Sequence, residues 1–89
     1  MSSISRPVLS PVELFGRRLR NRLAVAPMSR VSASGNGLAT DRMKGYYREF
    51  ARGGFAIVIT EGTYTDEDAS QGYDRQPGIA NRRQANSWA

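Results

Sequence analysis

The 89-residue sequence contains no cysteine and no histidine. The first absence excludes disulfide frameworks, thiolate metal sites and thiol nucleophiles together. The second removes the usual zinc ligand sets and the side chain most often used for proton transfer near neutral pH. Long apolar runs are missing too. The opening MSSISRPVLSPVELF has no uninterrupted apolar core of signal-peptide type, and nothing approaches the length of a membrane span, so a soluble, cytoplasmic chain with no membrane partner is expected. Lysine is nearly absent: of thirteen basic residues twelve are arginine, the exception being Lys44. The net charge of +5 invites a nucleic-acid reading. The distribution weakens it, because the arginines are scattered from Arg6 to Arg83 among eight acidic residues. The densest run, Arg17-Arg18-Leu19-Arg20-Asn21-Arg22, alternates with residues a strand would turn inward. A solvated basic face is the simpler reading, and no nucleic-acid partner is expected.

What is present reads as one small domain, of a size at which folding hides only roughly 60% of the unfolded chain's surface. Short apolar pieces between Val8 and Arg22, Val12-Glu13-Leu14-Phe15 and Leu19, are separated by Gly16 and suggest a hairpin. Leu23 to Ala26 is apolar without alternation, the pattern of a strand buried on both faces, and Pro27 closes it because proline cannot donate to a sheet ladder. The Ser/Gly/Asn-rich segment from Val31 to Ala39 reads as loop. Thr40 and Asp41 form a helix start, and Met43, Tyr46, Tyr47 and Phe50 follow at the spacing of one helical face. Gly53-Gly54 supplies the stop, which predicts a helix over about 40–52. Phe55 to Thr60 is a second continuous, β-branched run and reads as another strand buried on both faces. Thr63 to Ile79 reads as a long polar loop, and Asn81 to Ala89 has modest helical character.

Strand, loop, helix and strand within about forty residues make a βαβ unit with parallel strands and a right-handed crossover. Both strands then end on the same edge, where α/β folds bind ligands. That places Pro27-Met28-Ser29 beside Glu61-Gly62, a hydroxyl next to a glycine, with a flat gap for a planar polar ligand. From spacing alone, the alternative that Ser29 starts a turn and Gly62 ends a strand stays open. A phosphate loop fails, since neither GxGxxG nor GxxxxGK[ST] occurs and Arg52-Gly53-Gly54 lies at the wrong end of the helix for an anion. Glu61, Asp66, Glu67 and Asp68 read as a solvated loop rather than a metal cluster.

Leu14-Phe15-Gly16 with Leu19-Arg20-Asn21-Arg22, Ala26-Pro27-Met28-Ser29-Arg30, Thr40-Asp41, Tyr46-Tyr47, Arg52-Gly53-Gly54, Ile59-Thr60-Glu61-Gly62 and Gln76-Pro77-Gly78-Ile79 together resemble the N-terminal end of the old yellow enzyme family. Members are FMN-dependent NAD(P)H oxidoreductases, also called ene-reductases. The resemblance implies an α/β fold, a (β/α)8 TIM barrel with FMN across its C-terminal mouth. It also implies hydride transfer from NADH or NADPH through flavin to an activated alkene such as an enone. Carried onto this sequence, Ala26, Pro27, Met28 and Ser29 would line one side of the isoalloxazine ring, with the Ser29 hydroxyl near flavin N5 and O4. Gly62 would leave room for the ring and offer its backbone N–H. The family most often has threonine or cysteine at the position of Ser29, which leaves the flavin potential and the subgroup undetermined.

A (β/α)8 barrel needs roughly 250 residues. Residues 1–89 are therefore expected to be the N-terminal segment of an FMN-binding barrel domain: a lead-in hairpin, one strand–helix–strand unit and the start of a second helix, incomplete as a barrel. The substrate-binding His-His or His-Asn pair that the resemblance implies cannot lie here, no catalytic residue is assigned, and the segment alone is expected to be inactive. The bare strand edges and the apolar Leu23, Val25, Ile57 and Ile59 predict that the isolated chain folds poorly, aggregates or self-associates. A cooperative thermal transition in a monomer would contradict this. Two other readings stand beside the flavin one: a non-catalytic interaction or oligomerising module derived from the barrel and, last, a small basic nucleic-acid-binding protein with salt-sensitive retention.

Overall fold

The computed structural model of the chain describes residues 6–89. Pro7–Leu9 form a single 3-10 turn, where a proline N–H is not missed. The Arg22 N–H closes back onto the Val8 carbonyl at 2.9 Å. Strands β1 (Val12–Leu14) and β2 (Arg17–Leu19) pair antiparallel, Leu14 opposite Arg17. Between them Phe15 and Gly16 have φ of +51° and +78°, the left-handed pair that a two-residue type I′ turn requires. Glycine adopts it freely; phenylalanine is held there with its side chain 99% exposed.

The βαβ unit is present. Strands β3 (Ala24–Val25) and β4 (Ile57–Val58) are parallel, Ala24 opposite Ile57 and Val25 opposite Val58, and helix α1 (Asp41–Arg52) connects them. Thr40 Oγ1 accepts from the Met43 N–H at 3.3 Å and so satisfies one orphan donor of the first turn. On the inward face Met43 is buried, while Tyr46, Tyr47 and Phe50 are half-buried in an edge-to-face aromatic chain that continues to Phe55. The helix ends at Gly53-Gly54, but only Gly54 takes a left-handed φ, +107°; Gly53 stays helical. Asn21 links this turn to β3: its Oδ1 accepts from the Leu23 and Ala56 N–H groups and its Nδ2 donates to the Gly54 carbonyl at 2.7 Å.

Two expectations need correction. Neither strand is buried on both faces. Val25 is buried, but Ala24 and Ala26 are exposed, Ile57 and Val58 are half-buried, and Ile59 is exposed. Among the described residues each strand has one neighbouring strand, which leaves Ala24, Ala26 and Ile59 exposed. The radius of gyration, 16.3 Å against about 12 Å for a compact domain of this length, reflects the same open arrangement. The described residues form a partial α/β unit, with no closed barrel among them.

The second correction concerns the long loop, which is better packed than its composition suggests. Tyr64 forms a parallel bridge with Gly78, and Tyr64, Gln76, Pro77 and Gly78 are buried. Helix α2 (Arg82–Trp88) starts at Asn81, whose Oδ1 accepts from the Gln84 N–H at 2.8 Å. Gln84 is 1% exposed: its Nε2 donates to the Asn36 carbonyl and the Tyr64 hydroxyl, and its Oε1 accepts from the Ala80 N–H. Gly37, with φ +78°, lies against this cluster, where a Cβ would overlap the Tyr64 hydroxyl.

Candidate functional site

Residues 26–29 run directly on from β3, and Gly62 stands just beyond β4, so the parallel pairing puts them on one edge of the sheet. In this register β4 donates from Ile57 to Leu23 and from Ile59 to Val25. The next donor from the β3 side would be residue 27. Proline has no N–H, and the ladder stops there. Ala26, Pro27, Met28, Ser29 and Gly62 are all exposed.

The Ser29 Oγ accepts from the Tyr73 hydroxyl at 3.2 Å, which leaves the Ser29 proton available for donation. The Gly62 carbonyl accepts from Gln76 Nε2 at 3.2 Å, and Gln76 Oε1 in turn accepts from the Gly72 N–H. A Cβ built on Gly62 would meet only Gln76 Nε2, at an ordinary 3.7 Å, and its φ is not left-handed. Neither packing nor backbone conformation among the described residues therefore requires glycine at this position.

Glu61 overturns the reading of a solvated carboxylate. It is 2% exposed. Its Oε2 accepts from the Tyr47 hydroxyl at 2.7 Å, its own N–H donates to that hydroxyl at 2.9 Å, and its Oε1 faces the Arg30 N–H at 3.4 Å. The Tyr47 phenol is pushed above the usual tyrosine range, first by burial and then by its bond to the carboxylate. The Arg30 guanidinium lies over the Tyr46 ring, 4.7 Å from its centroid. Asp66, Glu67 and Asp68 remain on an exposed turn where Glu67 accepts from Asn81, and among the described residues no three acidic side chains gather as a metal site.

Sequence reasoning missed Tyr47, Glu61, Gln76 and Tyr73 as partners of this edge. The available signal was faint: Tyr47 stands at the helical spacing of Met43, Tyr46 and Phe50, and its partner lies 14 residues away, beyond β4. A groove of about 620 Å³ lies elsewhere. It runs between α1, β4 and α2, lined by Met43, Tyr47, Val58 and Trp88, and includes none of the five candidate residues. No helix among the described residues is long and apolar enough to cross a membrane.

The family model for NADH:flavin oxidoreductase / NADH oxidase matches residues 7–89. Among curated proteins, the chanoclavine-I aldehyde reductase of Penicillium roqueforti is 37% identical over 81 residues, covering 91% of this chain and 22% of that protein. The 12-oxophytodienoate reductase 7 of Oryza sativa subsp. japonica is 34% identical over 82 residues, covering 92% and 20%. Among solved structures, the old yellow enzyme from Pichia sp. AKU4542 matches with a TM-score of 0.85 and 29% identity, over 92% of this chain and 21% of that one. The chain spans about a fifth of the length of the curated relatives it matches.

Proposed function

The chain belongs to the NADH:flavin oxidoreductase / NADH oxidase family, and from that premise we propose that residues 1–89 form the first strand–helix–strand segment of an FMN-binding (β/α)8 barrel. In this reading Ala26, Pro27, Met28, Ser29 and Gly62 provide one wall of the flavin site. The observation that carries it is Gly62, a glycine that the chain's own packing does not need, set on an exposed edge beside a serine hydroxyl with a proton to donate.

Bound there, FMN would supply the hydride relay between NADH or NADPH and an activated alkene. The residues of this chain hold and orient. Pro27 ends the ladder so that the strand ends can part, and Met28 presents a polarizable side chain suited to a planar ring. Ser29 would donate a hydrogen bond toward the flavin ring, and Gly62 would keep the backbone approachable. Recognition of the alkene and proton delivery fall to residues outside this segment.

FMN fluorescence titrated with the full chain tests the proposal. Gly62→Leu is expected to weaken binding by tenfold or more, as expected when a side chain fills a ligand's space, and Ser29→Ala by about threefold to tenfold for one lost hydrogen bond. Equal affinity in Gly62→Leu and the unmodified chain contradicts it.

The exposed edges of β3 and β4 and the half-exposed Ile59 favour a second reading, a non-catalytic module that self-associates through those edges. Sedimentation that shows oligomers with no FMN retained would favour it over the first.

A further inference from the structure

Past the Ile59 to Val25 bond, no backbone hydrogen bond joins the segment 26–32 to the segment 60–63 among the described residues. The space between Ser29 and Gly62 is therefore not set by sheet pairing. One side chain spans it. The Glu61 carboxylate reaches from the β4 side to the Arg30 N–H on the β3 side, and it is held by the Tyr47 hydroxyl, which also accepts the Glu61 N–H. Tyr47 projects from α1, the crossover that joins the two strands. Arg30 is fixed at its other end as well, its guanidinium seated over Tyr46 one residue earlier on the same helix. Both groups of the clamp adjoin the proposed flavin wall: Arg30 follows Ser29, and Gly62 follows Glu61.

Resting on the flavin reading, we infer that Tyr47 and Glu61 are positioning residues that set the width of the gap between Ser29 and Gly62, with the carboxylate as spacer. A ladder continued by another residue at position 27 would draw the strand ends to the roughly 4.8 Å of paired strands. A buried carboxylate anchored to the helix holds them at the length of a glutamate side chain instead. Burial makes the arrangement exacting, because a carboxylate 2% exposed that loses a partner has no water to replace it. Both act through their neighbours, Arg30 beside Ser29 and Glu61 beside Gly62.

The test uses the full chain and two variants, Glu61→Gln, close in shape to the native side chain, and Tyr47→Phe. Hydrogen exchange is read residue by residue by mass spectrometry with electron-transfer fragmentation. FMN affinity is measured on the same samples. In Glu61→Gln the Arg30 amide is expected to exchange about tenfold faster while the Ile59 amide, in the ladder, changes less than twofold. Tyr47→Phe is expected to do the same. FMN affinity falls about tenfold in both, a loss that a purely structural role would not produce with the ladder intact. Unchanged exchange at Arg30 in both variants overturns the inference. So does loss of protection throughout the β3–β4 ladder in Glu61→Gln, which would make the pair a general stabiliser. If the unmodified chain binds no FMN, the flavin reading fails, while the amide result still decides whether the clamp sets the gap.

Discussion

The apolar β3–β4 pair buries only Val25, while the polar stretch from Glu61 to Gln84 buries several of its residues. The strand segments carry the chain's most apolar runs, yet Ala24 and Ile59 are exposed and Ile57 and Val58 only half-buried. The loop stretch is polar and rich in glycine, yet Glu61, Tyr64, Gln76, Pro77, Gly78 and Gln84 are buried. The difference lies in where the partners are. Polar groups of the loop find theirs within the chain: Gln84 with Asn36, Tyr64 and Ala80, Gln76 with Gly62 and Gly72. No buried side-chain nitrogen or oxygen among the described residues lacks a hydrogen bond. The apolar side chains of the strands need a surface that these residues do not supply, as expected of one unit from a larger layered fold. Local hydrogen bonding thus closes the loop, while the sheet waits for non-local packing.

If that contrast is right, substitutions in the polar cluster cost more than those at the sheet's outer surface. The largest effect is expected from Gly37→Ala, which combines a left-handed φ with overlap on Tyr64, and it should destabilise by about 3 kcal/mol in urea unfolding at fixed protein concentration. A loss below about 1 kcal/mol would show that the cluster is soft and would break the comparison. Next comes Asn21→Ala, which removes three hydrogen bonds that tie the Gly54 turn to β3, with an expected cost of about 2 kcal/mol.

Alkaline pH sharpens the same contrast at Tyr47. Burial and Glu61 favour the neutral phenol, so its folded pKa lies above the unfolded value near ~10. The associated stability is fully present below that unfolded value and is lost as pH rises through it toward the folded pKa. The Tyr47 phenol should therefore ionise late in a tyrosinate absorbance titration, and Tyr47→Phe should remove that late step. The smallest effect has the opposite sign. Phe15→Asn places a residue tolerant of left-handed φ in the type I′ turn and loses no packing, so it should stabilise by about 0.5–1 kcal/mol, read by thermal shift.

The βαβ unit was legible because its signals are local. Met43, Tyr46, Tyr47 and Phe50 repeat at the helical period, Thr40 caps, and glycines and Pro27 punctuate the strands. The strand-end location of Ser29 and Gly62 follows from parallel pairing alone, and the structure places both there. Burial was the less legible quantity. An apolar run reports what a side chain prefers, and whether Ile59 is covered depends on neighbours far along a chain. Tyr64 and Gln84 meet across 20 residues, and Glu61 meets Tyr47 across 14, through polar atoms that no periodicity marks. The buried carboxylate could have been suspected only from its place between Thr60 and Gly62 at the end of an apolar strand, and the acidic residues at 66–68 drew it into the wrong group.

The central claim, that the edge formed by residues 26–29 and Gly62 is a flavin wall, is tested most directly by the visible spectrum of the full chain after incubation with FMN and gel filtration. The account predicts flavin absorbance that elutes with the protein and disappears in Gly62→Leu. Flavin that separates entirely from the chain, or stays bound regardless of Gly62→Leu, would contradict it.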